Sequence, residues 1–265
     1  MIKSAVQHSA LEIENLSIGY PNKKKDILIA RSINFSLQPG ELCAIIGING
    51  IGKSTLLRTI GKVQPKLSGE ILMKGKSLNA YKTLELAAMV SIVLTEPIAS
   101  KNLSVLELVA LGRQPYTNWI GTLTQKDKSK ILEALNVLEL TELQHKKCYE
   151  LSDGQLQRTL IARALAQETT LMLLDEPTSH LDLYHKVQIL KLLKSIAHKT
   201  QTTVLFTSHE IEMAIQLCDK ILILGKGENH FGDPCELIEQ KAFEKLFPTD
   251  TVTFDARSGS FRIEK

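Results

Sequence analysis

The sequence predicts an α/β fold: a parallel sheet covered by helices, preceded by a strand-rich part and interrupted by a helical one. Three observations support this. Strand patterns dominate residues 11–46, helical patterns dominate 96–151, and short apolar strands alternate with helices after 152. Such alternation is typical of parallel sheets. The chain has 265 residues, 43% of them hydrophobic, enough for one large core or two joined lobes.

The N-terminal part is predicted to consist mostly of strands. Residues 11–18, 33–37 and 41–46 alternate apolar and polar side chains, and Pro39 with Gly40 supplies a turn. Further elements are a helix over 53–62 and strands over 68–73 and 89–94.

The next segment carries helix signals. Ser104 with Glu107 forms a capping box, and residues 106–112 indicate an amphipathic helix that ends at Gly112. Thr124 precedes another helix, whose expected apolar side consists of Ile131, Leu132, Leu135 and Leu138.

The C-terminal half alternates helices and strands. Helices are predicted over 155–166, 183–197 and 210–217, and after Asp233 and Pro234; strands are predicted over 171–174, 203–207 and 221–224; residues 252–264 resemble a hairpin. The predicted division is a core of 11–95 and 153–245, a helical subdomain of 96–152 and a hairpin of 250–265.

Composition excludes several classes of protein. No apolar run approaches the roughly 18 to 20 residues of a membrane span, and residues 1–10 lack a secretory core, so we expect a cytoplasmic protein. The net charge of +3 gives no support for binding nucleic acid. The four cysteines are too scattered for a metal or redox motif, and we expect reduced, structural thiols.

Residues 47–54 fit the pattern G-x-x-x-x-G-K-S between a predicted strand and a predicted helix. The glycines let backbone N–H groups face an anion, and the helix N-terminus adds positive potential. Lys53 supplies charge to the β- and γ-phosphates, and Ser54 supplies a ligand for Mg²⁺. An ordinary glycine turn is the alternative, and such turns rarely end in Lys-Ser at the start of a helix.

Asp175 and Glu176 follow an apolar strand, at the sheet edge where open α/β proteins bind ligands. Asp175 can hold Mg²⁺ through water, and Glu176 can polarise an attacking water. A solvated turn is the alternative for this pair taken alone.

Residues 151–158, Leu-Ser-Asp-Gly-Gln-Leu-Gln-Arg, resemble the signature motif of ATP-binding cassette ATPases. Five further matches follow the family order: Tyr20 as the adenine-stacking aromatic, 47–54 as Walker A, Asp175 with Glu176 as Walker B, 179–182 as the D-loop, and His209 as the switch histidine.

The resemblance implies a P-loop NTPase (RecA-like) core with an N-terminal antiparallel β subdomain and an inserted helical subdomain. It implies ATP and Mg²⁺ as cofactors and a head-to-tail homodimer, with catalytic roles for Glu176, His209 and Lys53. The residues implied for ATP are Tyr20, Gly47, Asn49, Gly50, Gly52, Lys53, Ser54 and Thr55, with Ser152, Gly154 and Gln155 acting from the other subunit. Those implied for Mg²⁺ are Ser54 and Asp175, with Thr95 as a candidate, and those for the D-loop are Ser179 and Asp182.

Two positions depart from the family pattern. Thr95 stands where the family usually has Gln, and Glu96 is an alternative substitute for that Gln. Asp153 replaces the first signature glycine and adds negative charge near a phosphate, whereas Gly154, which allows close backbone approach, is retained.

Residues 106–116 resemble a segment of importers for iron-siderophore, haem and cobalamin, and His185 after Asp182 is similar to the same subgroup. The resemblance implies permease subunits, an extracytoplasmic binding protein and a peripheral place on the inner face of the membrane. Two alternatives stay open: a soluble cassette ATPase acting on a protein or nucleic acid, and a binding module without hydrolysis.

Overall fold

The computed structural model describes residues 8–96, 100–247 and 252–263. Within them the strands are β1 (Leu11–Tyr20), β2 (Ile27–Leu37), β3 (Leu42–Ile46), β4 (Ser68–Met73), β5 (Lys76–Ser77), β6 (Val90–Val93), β7 (Leu171–Leu174), β8 (Thr203–Thr207), β9 (Lys220–Leu224), β10 (Asn229–Gly232), β11 (Val252–Asp255) and β12 (Ser260–Ile263). The α-helices are α1 (Lys53–Ile60), α2 (Thr83–Ala87), α3 (Val105–Ala110), α4 (Gln125–Val137), α5 (Asp153–Ala166), α6 (Leu183–Thr200), α7 (Ile211–Leu217) and α8 (Pro234–Glu239).

The central sheet has the strand order β10-β9-β3-β8-β7-β6. All neighbouring pairs are parallel except β10 with β9. Every residue of β3, β7 and β8 is buried, which is expected of strands covered on both faces. This arrangement confirms the predicted α/β class, and it brings the carboxyl ends of β3, β7 and β8 together at one edge.

A second, antiparallel sheet has the order β2-β1-β4-β5. On β1 the apolar side chains of Leu11, Ile13, Leu16 and Ile18 are buried. They share a core with Leu56 and Ile60 of α1 and with apolar residues of the central sheet, so α1 lies between the two sheets. Both strands are longer than predicted, since β1 continues to Tyr20 and β2 begins at Ile27.

The helical part packs α3 and α4 against α5. The predicted helix end at Gly112 is wrong, because α3 ends at Ala110 and a 3₁₀-helix continues over Leu111–Tyr116. A Cβ at Gly112 would lie 2.2 Å from the carbonyl oxygen of Arg163, so glycine there allows close packing on α5. The prediction that Leu132 lies on the apolar side of α4 is also wrong, since Leu132 is exposed, whereas Ile131 and Leu135 are buried.

Arg113 is fully buried beside this glycine. Its Nε donates to Asp127 Oδ1 at 2.9 Å, and its Nη1 donates to the Ala166 carbonyl at 2.7 Å and to Glu168 Oε2 at 2.8 Å. The guanidinium also lies 4.0 Å from the ring centre of Tyr116. The segment 106–116 therefore joins the start of α4 to the end of α5 through one buried cation.

Other features of the fold bear on the expectations from sequence. β11 and β12 pair as an antiparallel hairpin. None of the helices in the described ranges is long and apolar enough to cross a membrane. The four cysteines are free, and Cys43, Cys148 and Cys218 are buried, as expected of structural thiols. Cys235 differs from that expectation, because it is exposed at the start of α8. The predicted domain boundaries remain predictions.

Candidate active site

The loop between β3 and α1 forms the floor of the site. Gly52, directly before α1, has a φ of 110° and leaves no room for a side chain, because a Cβ would lie 2.6 Å from the side chain of Ile29. Gly47 has a φ of 151°, and a Cβ there would lie 2.7 Å from the carbonyl oxygen of Leu224. Glycine is therefore required at both ends of the turn.

Lys53 is buried and folds back over this loop. Its Nζ donates to the carbonyl oxygens of Gly47 at 2.9 Å and Ile48 at 3.3 Å. Burial lowers the pKa of Lys53, and the nearby carboxylates of Glu176 and Asp175 offset part of that lowering. The amine is thus held at the loop, where it can exchange carbonyl oxygens for phosphate oxygens.

Asp175 follows β7 and accepts two hydroxyl hydrogen bonds on the same oxygen. Ser54 Oγ donates to Asp175 Oδ1 at 2.8 Å, and Thr207 Oγ1 donates to it at 2.7 Å. The pairing joins α1, β7 and β8. It places a carboxylate and a hydroxyl side by side, and both are ligand types that Mg²⁺ accepts.

Glu176 and His209 meet at the rim of the site. His209 Nε2 lies 2.7 Å from Glu176 Oε1, and both side chains are partly exposed. Glu176 has a left-handed backbone with a φ of 48°, which is uncommon for a residue with a side chain. A carboxylate and an imidazole in contact can together orient a water and move its proton.

A cleft of about 430 Å³ extends from these residues to the end of β1. Tyr20 lies at its far end and is 49% exposed. Its lining residues are Tyr20, Ile29, Asn49, Gly50, Gly52, Lys53, Ser54, Thr55, Glu176 and His209. The cleft thus contains most of the predicted residues for ATP, along with Glu176 and His209, and Gly47 contacts it through Lys53.

The predicted signature residues lie outside this cleft, at the start of α5. Ser152 caps the helix: its hydroxyl accepts from the Gln155 N–H at 3.3 Å, while its own N–H donates to Gln155 Oε1 at 3.1 Å. Ser152 and Asp153 are exposed. A Cβ on Gly154 would have only one neighbour, Leu181 Cδ2 at 3.6 Å, so packing within the described chain does not require glycine there.

Thr95 and Glu96, the two candidates to replace the Gln that the family usually has, differ in their contacts. Glu96 Oε1 accepts from Arg58 Nη2 of α1 at 2.8 Å, so its carboxylate is already paired. Thr95 makes no side-chain hydrogen bond to the described residues and is exposed. It lines a neighbouring cavity of about 390 Å³ that also touches Asp153, Asp175 and Glu176.

The predicted D-loop residues stabilise the turn after β7. The Ser179 N–H and hydroxyl both donate to the Glu176 carbonyl, at 3.1 and 3.0 Å. Asp182 caps α6 by accepting from the His185 N–H at 2.9 Å, and it contacts His185 Nδ1 at 2.8 Å. These bonds from His185 lower the pKa of Asp182.

Sequence reasoning missed Thr207 and Ile29. Thr207 is a polar residue at the carboxyl end of a buried strand, the same signal that identified Asp175, and it could have been found that way. Ile29 lines the cleft from β2, and no local pattern marks it.

Comparison with known proteins identifies the family. The profile described as ABC transporter matches residues 30–179, more than half of the chain. The chain belongs to the ABC transporter family. The iron(3+)-hydroxamate import ATP-binding protein FhuC of Bacillus subtilis is 36% identical over 94% of this chain and 92% of its own length. This ABC transporter chain is therefore an ATP-binding subunit that hydrolyses ATP.

Solved structures agree with this membership. The chain is similar to one in an inward-facing, metal-chelate type ABC transporter, with a TM-score of 0.77, 33% identity and coverage of 90% of this chain and 89% of the other. It is also similar to an ATP-binding cassette in a dimeric, post-hydrolysis state bound to ADP and Pi, with a TM-score of 0.71, 28% identity and coverage of 84% and 98%. The expected cassette fold is thereby confirmed.

Proposed function

We propose that this ABC ATPase drives the import of an iron chelate through separate permease subunits, on the inner face of the membrane. ATP-dependent closure of a homodimer supplies the movement, and an extracytoplasmic binding protein delivers the cargo. Similarity to an iron(3+)-hydroxamate import protein and to a metal-chelate type transporter supports an iron chelate over haem or cobalamin.

The observation that carries the hydrolytic part is the contact of 2.7 Å between Glu176 and His209 at the rim of the cleft. Glu176 orients and polarises the attacking water, and His209 holds that carboxylate and contacts the γ-phosphate. Phosphoryl transfer depends mostly on such positioning, because the protein forms no covalent bond to the phosphate.

The remaining residues of the cleft bind the nucleotide. Tyr20 offers an exposed ring on which adenine stacks. The backbone N–H groups of Asn49, Gly50 and Thr55 face the phosphates at the N-terminus of α1, where the helix dipole favours an anion. Lys53 transfers its hydrogen bonds from the loop carbonyls to the β- and γ-phosphates.

The donor set fits Mg²⁺. Ser54 and Asp175 contribute only oxygen atoms, and they lie within 2.8 Å of each other. Ser54 would hold the ion directly and Asp175 through water, with Thr95 as a further candidate. When bound, Mg²⁺ neutralises charge on the phosphates.

The exposed start of α5 is the surface offered to a second copy. Ser152 and Gln155 present polar groups, and Gly154 leaves its backbone open to close approach. In a head-to-tail dimer these groups bind the γ-phosphate held by the partner, next to its Ser179 and Asp182. Each ATP site is therefore formed by the cleft of one chain and the start of α5 of the other.

Replacing the carboxylate tests the hydrolytic role. Glu176→Gln should bind ATP, accumulate as the closed dimer and lose most of its turnover, because the water loses its polarising group. Turnover by phosphate release and dimer mass by sedimentation measure both effects. Glu142→Gln, at an exposed position, is the matched control. Wild-type turnover of Glu176→Gln would remove Glu176 from this role.

The cargo needs a separate test. Permease subunits should co-purify with the chain, and the two reconstituted together in vesicles should support ATP-dependent uptake of a ferric hydroxamate. Uptake of haem or cobalamin in its place would overturn the iron chelate, and a chain that binds no permease would favour the soluble alternative.

A further inference from the structure

Thr207 is the last residue of β8, at the sheet edge where Asp175 and Glu176 lie. Its side chain is fully buried. The hydroxyl donates to Asp175 Oδ1 at 2.7 Å and accepts from the Glu176 backbone N–H at 2.8 Å. A single hydroxyl on a central strand therefore holds both the side chain of Asp175 and the backbone of Glu176.

The backbone of Glu176 needs such support. Its φ of 48° lies in the left-handed region, where a side chain is strained unless its surroundings hold it. Thr207 fixes the N–H of Glu176, and Ser179 fixes its carbonyl with two donors. The peptide on either side of Glu176 is thus anchored, and this anchoring fixes the direction in which the carboxylate leaves the backbone.

We propose that Thr207 is a positioning residue for hydrolysis, through which β8 sets the place of both Asp175 and Glu176. The inference rests on the proposed roles of those two residues. Thr207 itself does not line the cleft with Tyr20 and Lys53, so it acts through its neighbours. Without the hydroxyl, the Glu176 peptide relaxes toward ordinary backbone angles, and the carboxylate moves away from His209 and the water.

Thr207→Val tests this with little change in shape. A misplacement of about 1 Å at a reacting group can reduce a rate by about 10²-fold, so we expect kcat to fall by about that factor. The Lys53 loop is untouched, so the Kd for ATP measured without Mg²⁺ should change by less than about 3-fold. Thr207→Ser keeps the hydroxyl and should retain kcat within about 3-fold.

Thr203→Val is the matched control. Thr203 is equally buried at the other end of β8, and its hydroxyl donates to the Gln38 carbonyl at 2.9 Å, far from Asp175 along the strand. Thr207→Val should lose more thermal stability, because it also leaves the Glu176 N–H without its acceptor. Only Thr207→Val should lose kcat per folded molecule.

The outcomes separate this inference from the proposed function. Normal kcat in Thr207→Val overturns the role of Thr207, whatever Glu176→Gln shows. So does a loss of kcat in Thr207→Ser or Thr203→Val as large as that in Thr207→Val. Wild-type turnover in Glu176→Gln instead overturns the proposed role of Glu176. If Thr207→Val does not fold, Thr207→Ala replaces it, because alanine has no group that can donate or accept. Reduced kcat with unchanged Kd then supports the inference, and wild-type kcat overturns it.

Discussion

The sheet edge and the start of α5 contain similar residue types, yet their hydroxyls are engaged differently. At the sheet edge, Ser54 and Thr207 are tied to Asp175, and Lys53 to its own loop. At α5, the Ser152 hydroxyl caps its own helix, and Ser152 is exposed. Bonds between separate elements fix the first region, whereas the Ser152 bond lies within the start of a single helix.

The largest expected effect lies in neither region but at Arg113, the buried cation that links α4 to α5. Arg113→Leu leaves the buried Asp127 carboxylate without its cation, which costs about 3–5 kcal/mol for a broken buried pair. Chemical denaturation should show this loss, while kcat per folded molecule stays near wild type. Arg257→Leu, at an exposed site, should shift stability by less than about 0.5 kcal/mol. A large loss of kcat in folded Arg113→Leu would show that the contacts of Arg113 also shape the site.

Ser54→Ala tests the ordered region. It removes a proposed Mg²⁺ ligand but leaves Asp175 bonded to Thr207, so we expect a loss of kcat of about 10²-fold with little change in stability. Chelation of Mg²⁺ should reduce wild-type turnover at least as far. Thr59→Ala, on the same helix, removes a hydroxyl bonded to the Thr55 carbonyl and should leave kcat unchanged. Unaltered Mg²⁺ dependence in Ser54→Ala would refute the ligand assignment.

Ser152→Ala tests the exposed region. Loss of the N-cap should lower stability by about 1 kcal/mol, and Ser104→Ala, which removes an equivalent cap from α3, should do the same. Only Ser152→Ala should weaken the proposed ATP-dependent dimer, measured by sedimentation in a Glu176→Gln background. Equal dimer loss in both variants would mean that the effect comes from helix stability alone.

The smallest effect is expected at Thr95. Its hydroxyl is exposed and lies outside the cleft that contains Ser54, so Thr95→Val should raise the Mg²⁺ concentration at half-maximal turnover by no more than about 3-fold. Glu96→Gln, which removes the charge facing Arg58, gives a comparison on the adjacent residue. A tenfold or larger rise for Thr95→Val would make Thr95 a ligand.

Much of the fold was predictable because its core strands carry a local signal. The buried runs at β7 and β9 and the capping boxes of α3 and α4 are visible without knowledge of the tertiary structure. β10 was missed, because its polar residues form a strand only by pairing with β9. The 3₁₀-helix after α3 was missed because Gly112 packs on α5, a contact far along the chain.

In the candidate site, too, local features were predictable and contacts between distant residues were not. Residues of the motif around Lys53 and Ser54 are close in sequence and were predictable. The link from Asp175 to Thr207 spans two strands, and sequence alone gives neither its distance nor the burial of its hydroxyl. The pairing of Glu96 with Arg58 likewise joins residues of different elements.

The distribution of the thiols allows the chain to be labelled at a single cysteine. Burial raises the pKa of Cys43, Cys148 and Cys218, so these three stay protonated and shielded from solution reagents. Cys235 alone of the four is exposed, and it lies on α8, away from the nucleotide cleft. A maleimide fluorophore or spin label would therefore attach at one known position of the unmodified protein. The distance between labels on two copies would test whether ATP closes the proposed dimer.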